Sequence, residues 1–230
     1  MTYVIAEIGL NADNDVDLAK KYIKTAKQCG ADCVKFQAYQ PLSLCDPMYQ
    51  EDFYRQLLDC QFSYNDFYVL HKHCIDLGID FLCTPDDIES ASFLNGFVDK
   101  FKISSIGAAN WHLLRLINCF KKPVYISNGI LNQPGIEAAN DLLKNCEVTW
   151  FDCVSKYPAE EEDYIDKMAK TGRPRGISDH TLGVETAISA ARMGVKYIEK
   201  HFTLDKNADG FDHHMSINPD ELKQLCKAVK

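Results

Sequence analysis

The chain has 230 residues, 46% of them hydrophobic and 25% charged, with a formal net charge of -8 at pH 7. That acidic balance argues against a nucleic-acid or anionic-membrane surface. No apolar run reaches the roughly 18 residues of a membrane span, and the opening Met-Thr-Tyr-Val-Ile-Ala-Glu lacks the basic-then-apolar layout of a secretion signal, so a cytoplasmic location is expected. Ten cysteines are present, and none forms a Cys-x-x-Cys pair. Cys33, Cys74, Cys83, Cys119 and Cys153 lie in or beside apolar runs, where a free thiol packs as a small hydrophobe, so neither a disulfide framework nor a catalytic thiol is expected.

Taken in order, short β-rich runs alternate with helical patterns. Strands are predicted over 3–8, 33–38, 79–83, 100–104, 123–127, 147–153, 174–178 and 196–202. Helices are predicted over 15–29, 64–77, 87–96, 110–119, 134–144, 160–170, 184–193 and 219–229. Asp13 or Asn14 is a candidate cap for the first helix and Asn65 or Asp66 for the second. Pro134 and Pro219 suit first helical turns. The stretch 40–63 reads as a long irregular loop after the second strand. Eight alternations predict a single-domain (β/α)8 barrel of the TIM type over residues 1–230. A doubly wound sheet would show a Gly-rich turn after its first strand, and Glu-Ile-Gly-Leu-Asn at 7–11 is not that fingerprint.

In such a barrel the active site lies at the C-terminal ends of the strands, so the informative residues are polar ones where a packed interior would reject them. Strand 1 offers Glu7. Strand 2 offers Lys35 and Gln37, two apart and so on one face. Strand 3 leads into Thr84. Strand 4 carries Lys102, with Ser104 and Ser105 behind it. Strand 5 carries Ser127 and Asn128, and strand 6 leads to Ser155, Lys156 and Tyr157. Strand 7 carries Ser178, Asp179 and His180, and strand 8 Glu199, Lys200 and His201. Buried lysine is rare unless paired, and cations at several strand ends of an acidic protein point to a pocket for a small phosphorylated or carboxylated substrate. His180 and His201 follow adjacent strands with one helix between, a spacing that can bring two imidazoles to one metal ion such as Mn, Zn or Fe; two unrelated polar residues at strand ends is the alternative. Glu7 and Asp212 are candidates for proton transfer or for holding hydroxyls, against the plainer reading of solvated acids. His71 and His73 read as surface residues, and Trp111 and Trp150 as packing. Glu160 to Asp163 reads as a solvated acidic first turn, and His214 as a third metal ligand only if its loop reaches the site.

The motifs in sequence resemble the sialic acid synthases (N-acetylneuraminate synthases) and related nonulosonic acid synthases. The resemblance is carried by Ala-Glu-Ile-Gly-Leu-Asn at 6–11, Gly-Ala-Asp-Cys-Val-Lys-Phe-Gln at 30–37, Phe-Leu-Cys-Thr-Pro at 81–85 and Phe-Lys-Ile-Ser-Ser at 101–105. It continues through Lys-Pro-Val-Tyr-Ile-Ser-Asn-Gly at 122–129 and Ser-Lys-Tyr-Pro at 155–158. Ser-Asp-His-Thr-Leu-Gly at 178–183, Ile-Glu-Lys-His-Phe-Thr-Leu-Asp at 198–205 and Gly-Phe-Asp-His at 210–213 complete it. The last three are specific in combination.

The resemblance implies condensation of phosphoenolpyruvate with the open-chain aldehyde of N-acetylmannosamine or a related amino sugar. It implies a divalent metal, manganese first, with magnesium or cobalt as alternatives, held by His180 and His201. It places Lys35, Gln37, Thr84, Lys102, Ser105, Ser155 and Ser178 around substrate, and Glu7, Tyr157 and Asp212 at the sugar and the acid–base steps. A homodimer is the assembly it implies. The chain departs from the family pattern at Ala12, where a His is usual, at Gly107, where an acid is usual two residues after the strand-4 Ser, and at Asp152, where a His is usual. It ends at Lys230, so a barrel without the family's C-terminal antifreeze-like domain is expected. A related barrel synthase using a different sugar acceptor, and a barrel kept for binding without catalysis, are the competing expectations.

Overall fold

A computed structural model describes residues 1–171 and 175–230. Eight strands form: β1 Tyr3–Glu7, β2 Cys33–Ala38, β3 Asp80–Pro85, β4 Phe101–Ile103, β5 Val124–Ser127, β6 Val148–Cys153, β7 Gly176–Asp179 and β8 Tyr197–His201. Each sits within a few residues of its predicted range; Pro174, the predicted start of β7, lies outside the described residues. All ladders are parallel, in the order β3-β2-β1-β8-β7-β6-β5-β4. β3 and β4, at the two ends of that order, lie side by side. No ladder joins them among the described residues, so the barrel is nearly closed, with one seam.

The helices are α1 Val16–Cys29, α2 Pro41–Leu44, α3 Glu51–Asp59, α4 Tyr64–Leu77, α5 Ile88–Leu94, α6 Trp111–Phe120, α7 Gln133–Leu142, α8 Glu161–Thr171, α9 Glu185–Arg192 and α10 Pro219–Val229. None is long and apolar enough to cross a membrane, among the described residues. The stretch expected as an irregular loop, 40–63, contains α2 and α3. Tyr39, Cys45 and Leu57 bury there as a small satellite core, which an amphipathic helix can supply and a polar loop cannot.

Two helix starts differ from expectation for a backbone reason. Asp13 and Asn14 sit at φ 46° and 56°, left-handed positions that Asn and Asp tolerate. That turn leaves Asp15 at the cap, its carboxylate accepting from the Asp17 and Leu18 amides. α4 is capped by Ser63 in a reciprocal box with Asp66, so Asp66 contributes from the third helical position and Asn65 does not cap. Pro134 and Pro219 do occupy first turns.

Side chains alternate across each strand. One face, including Val4, Ala6, Val34, Phe36, Ile103 and Ile126, packs against the helices in the main core. The other points into the barrel and changes character with height. Its lower layer is apolar: Ile5, Cys33, Leu82, Tyr125 and Phe151, with Tyr3 and Tyr197 packed beneath. One residue pair higher stand Glu7, Lys35, Thr84, Lys102, Ser127, Ser178 and Glu199, all buried. The apolar layer is a plug, so the charged layer can be reached only from the C-terminal mouth.

The plug depends on Gly176. A Cβ there would lie 2.7 Å from the Phe151 ring, and the ring is fully buried with Tyr125 and Tyr197 against it. Gly176→Ala is therefore expected to cost about 1–3 kcal/mol of stability through overpacking, measured as a lower urea midpoint with an unchanged slope.

Candidate active site

Strand register decides which charges meet. Glu7 on β1 pairs in register with Lys35 on β2 and with His201 on β8, and Ser178 on β7 with Glu199 on β8. The Lys35 ammonium lies 3.2 Å from Glu7 Oε1 and 3.7 Å from Glu199 Oε1, and donates to Thr84 Oγ1 at 3.0 Å. The Lys102 ammonium lies 3.4 Å from Glu199 Oε1, donates to Ser127 Oγ at 2.8 Å and stands over the Phe151 ring. Ser178 Oγ donates to Glu199 Oε1 at 3.1 Å, and Gln37 donates its amide N–H to Glu7 Oε1 at 2.8 Å. Two lysines and two glutamates thus form one buried network, the arrangement in which buried charges are tolerable.

The electrostatics follow from those contacts. Burial pushes the Glu199 carboxyl up, but Lys102 and Lys35 outweigh it and hold the group down to about 2. Burial raises Glu7 more than Lys35 lowers it. Burial also lowers Lys102 despite the pull of Glu199, whereas for Lys35 the two carboxylates prevail and it is raised. Glu7 Oε2 and Glu199 Oε2 are buried without a hydrogen-bond partner, so each carboxylate keeps one oxygen free for a donor arriving from the mouth.

His180 and His201 come together, with ring centroids 5.6 Å apart. His180 Nδ1 lies 2.7 Å from the Val154 carbonyl oxygen; that contact puts the proton on Nδ1 and leaves Nε2 with its lone pair. Burial, with His201 beside it, lowers His180 to about 3, so the ring is neutral at physiological pH. His201 Nδ1 is buried without a hydrogen bond, 3.5 Å from Asp212 Oδ2. Among the described residues no set of three His, Cys, Asp or Glu side chains is arranged to hold a metal ion. Two imidazoles, one of them His180 with its Nε2 lone pair free, would suit a divalent cation.

The rest of the expected set falls around the same mouth. Tyr157 is 56% exposed and stacks on His180 with centroids 4.2 Å apart. Ser105 Oγ accepts from the Gly129 amide at 3.0 Å. A Cβ on Gly129 would collide with both Ser105 Oγ and Ser155 Oγ, so that glycine lets two hydroxyls from different loops converge. His214 is exposed and the neighbouring His213 is buried, facing Thr203 Oγ1 at 2.7 Å; the loop turns the wrong histidine outward for a third ligand. His71 is not a free surface residue, since its ring packs on Phe81 and Phe97. Trp150 does pack, with its indole N–H on Asn140, and Lys156 pairs with Asp163 in the acidic turn.

Residues outside the expected set matter as much. Glu199 is the hub of the charge network; its signal was its place two residues before His201, on the same strand face. Tyr164 of α8 is fully buried. Its hydroxyl donates to the Ser178 carbonyl and accepts from the His180 amide. On the outer face Lys200 pairs with Asp179 at 2.9 Å and donates to the Thr181 carbonyl at 2.6 Å, fixing the turn after His180. Asp152 also points outward, accepting from Asn128 at 2.7 Å. All ten cysteines are free. Cys119 is exposed rather than packed, while burial raises the Cys33, Cys74, Cys83 and Cys153 thiols and keeps them protonated.

Because Glu199 is held at about 2 in the fold against an ordinary value of 4.5, its stabilisation is present above about pH 4.5 and is lost as the pH falls through 2. Glu199→Gln is expected to cost about 3 kcal/mol at pH 7, by leaving the lysines undercompensated. It should also flatten the acid limb: urea midpoints at pH 7, 5 and 3 should fall less steeply in the variant than in the wild type.

A family model described as the NeuB family matches residues 22–230. The chain is 36% identical over 238 residues to an uncharacterized protein of Methanocaldococcus jannaschii, covering 100% of this chain and 70% of that one. It is 34% identical over 255 residues to the N,N'-diacetyllegionaminic acid synthase of Campylobacter jejuni, covering 100% and 75%. The crystal structure of N-acetylneuraminic acid (sialic acid) synthetase from Leptospira borgpetersenii superposes with a TM-score of 0.92 at 29% identity, covering 99% of this chain and 82% of that one. The chain belongs to the NeuB family.

Proposed function

We propose that the chain is a cytoplasmic, metal-dependent synthase. It joins phosphoenolpyruvate to the open-chain aldehyde of an N-acetylmannosamine-type sugar, giving a sialic acid or related nonulosonic acid and phosphate. One observation carries this reading: two buried lysines and two buried imidazoles open onto the same mouth, above an apolar plug. Relatives that are named synthases of N,N'-diacetyllegionaminic acid and of pseudaminic acid support it.

Lys35 and Lys102 hold the trianion. In the free site their charges are compensated by Glu7 and Glu199, so substrate enters a network already neutralised and does not meet two bare cations. The hydroxyls of Thr84, Ser105, Ser155 and Ser178 can add neutral donors to an anion. His180 and His201 would hold a divalent cation, which would supply Lewis-acid polarisation of the aldehyde oxygen. The methylene carbon of phosphoenolpyruvate attacks the aldehyde carbon, water adds to the phosphate-bearing carbon, and phosphate leaves with cleavage of that carbon's C–O bond. Glu7, raised by burial and keeping Oε2 free, is suited to hold or move a proton at a sugar hydroxyl. Asp212, beside His201, orients that ring. Tyr157 walls the mouth over His180 and limits water access.

The test is release of inorganic phosphate from phosphoenolpyruvate with manganese against a panel of amino-sugar and simpler aldose acceptors. Sugar-dependent release that a chelator abolishes is the expected result, and Lys102→Ala should lower it by about 100-fold or more. His180→Ala and His201→Ala should each abolish metal binding in calorimetry as well as turnover; full activity in both would remove the metal from the mechanism.

A further inference from the structure

Glu199 Oε1 is the point where donors from three other strands converge. The Lys102 ammonium from β4 reaches it at 3.4 Å, and the Lys35 ammonium from β2 stands 3.7 Å away. Ser178 Oγ of β7 donates to it at 3.1 Å. Ser127 Oγ accepts from Lys102 at 2.8 Å and lies 3.0 Å from Ser178 Oγ, so these donors are tied to one another around a single oxygen. Ammonium and hydroxyl groups from separate strands, meeting at one buried anionic oxygen, are what such a site offers to a phosphoryl or carboxylate oxygen of a ligand. In the free site Glu199 supplies that oxygen itself.

It supplies it loosely. Close charge-assisted N–H···O contacts run at about 2.7–2.9 Å, and neither lysine comes that close to Glu199. The same pair of strands carries a tight buried pair on its outer face, where Lys200 donates to Asp179 Oδ2 at 2.9 Å and to the Thr181 carbonyl at 2.6 Å. Among the described residues Glu199 Oε2 is buried with no hydrogen-bond partner, so the carboxylate is pinned through one oxygen alone.

We propose that Glu199 is a resident competitor in the anion site: it holds Lys35 and Lys102 while the site is empty, yields them to an incoming anion, and reclaims them as inorganic phosphate leaves. That the departing anion is phosphate rests on the condensation reading; the competition itself rests on the contacts of Glu199 Oε1. The role has a sign that separates it from a plainer one. A carboxylate that only orients two lysines strengthens anion binding, and its removal weakens it. A carboxylate that competes for them weakens anion binding, and its removal strengthens it.

The experiment is calorimetric binding of sulfate and of inorganic phosphate, without metal or sugar, at one pH near neutrality and at an ionic strength held constant with chloride. The wild type is compared with Glu199→Gln and Glu199→Asp. Glu199→Gln keeps the shape and drops the charge, so it should bind both anions about tenfold more tightly than the wild type, or better. Glu199→Asp draws a shorter carboxylate back toward β8 and should show a smaller gain. It offers no new donor, so its gain separates lost competition from a hydrogen bond given by the Gln amide. Sulfate should also raise the urea midpoint of Glu199→Gln more than that of the wild type, because the bound anion returns the missing charge to the lysines; this readout holds even where the variant folds poorly without an anion. Unchanged or weaker anion binding in both variants, with no extra stabilisation by sulfate, would overturn the competitor role and leave the condensation reading standing. A wild-type chain that releases no phosphate from phosphoenolpyruvate with any sugar, beside variants that gain sulfate affinity, would remove the condensation reading and keep Glu199 as the competitor.

Discussion

The structure turns on a cost that the barrel imposes on itself. Placing Lys35 and Lys102 inside a nearly closed barrel removes two ammonium groups from water, and each is tolerable there only because a carboxylate stands within reach. Glu199 serves both lysines through one oxygen, and Glu7 serves Lys35. Around that core the hydroxyls of Thr84, Ser127 and Ser178 complete the hydrogen bonds the charges need. The apolar layer beneath keeps water from entering from below. Remove the compensation and the cations would either draw water through the barrel or lose their protons, and in both cases the mouth would cease to be a strong anion site.

A second constraint separates position from chemistry. The residues that touch a ligand point inward, while those that fix them point outward or come from helices. Lys200 and Asp179 tie the turn behind His180, Tyr164 pins the end of β7, and Asn128 with Asp152 secures the turn after β5. Such supports lock the geometry of a site without entering it. Asp152 illustrates the point: a residue type unlike the one usual in related sequences sits on the outer face of β6, where it alters a support and not a reacting group.

Much of this was legible in the sequence, because a parallel barrel writes its strands as short β-rich runs at regular intervals and its site as polar residues at their ends. The candidates Glu7, Lys35, Thr84, Lys102, Ser178, His180 and His201 all converge for that reason. What escaped depends on contacts between segments far apart in the chain. Glu199 reads as one more charge on a strand until register sets it against Ser178 and between two lysines. Gly129 shows its part only where two serines from other loops would crowd a Cβ there. The caps at Asp15 and Ser63 escaped for a local reason: left-handed backbone at Asp13 and Asn14 shifts the helix start by one residue, and a capping box can begin before the residue that looks like the cap.

The ladder between β1 and β8, with Tyr3 opposite Tyr197 and Glu7 opposite His201, joins the first strand of the barrel to the last. During synthesis, Lys35 and Lys102 emerge long before Glu199. Until the last strand docks, the nascent sheet carries its lysines without the carboxylate they share, and burying them at that stage is unfavourable. Closure by β8 then gathers the full charge set through contacts of large sequence separation. The same pairing that makes the site thus delays its assembly until β8 has been made.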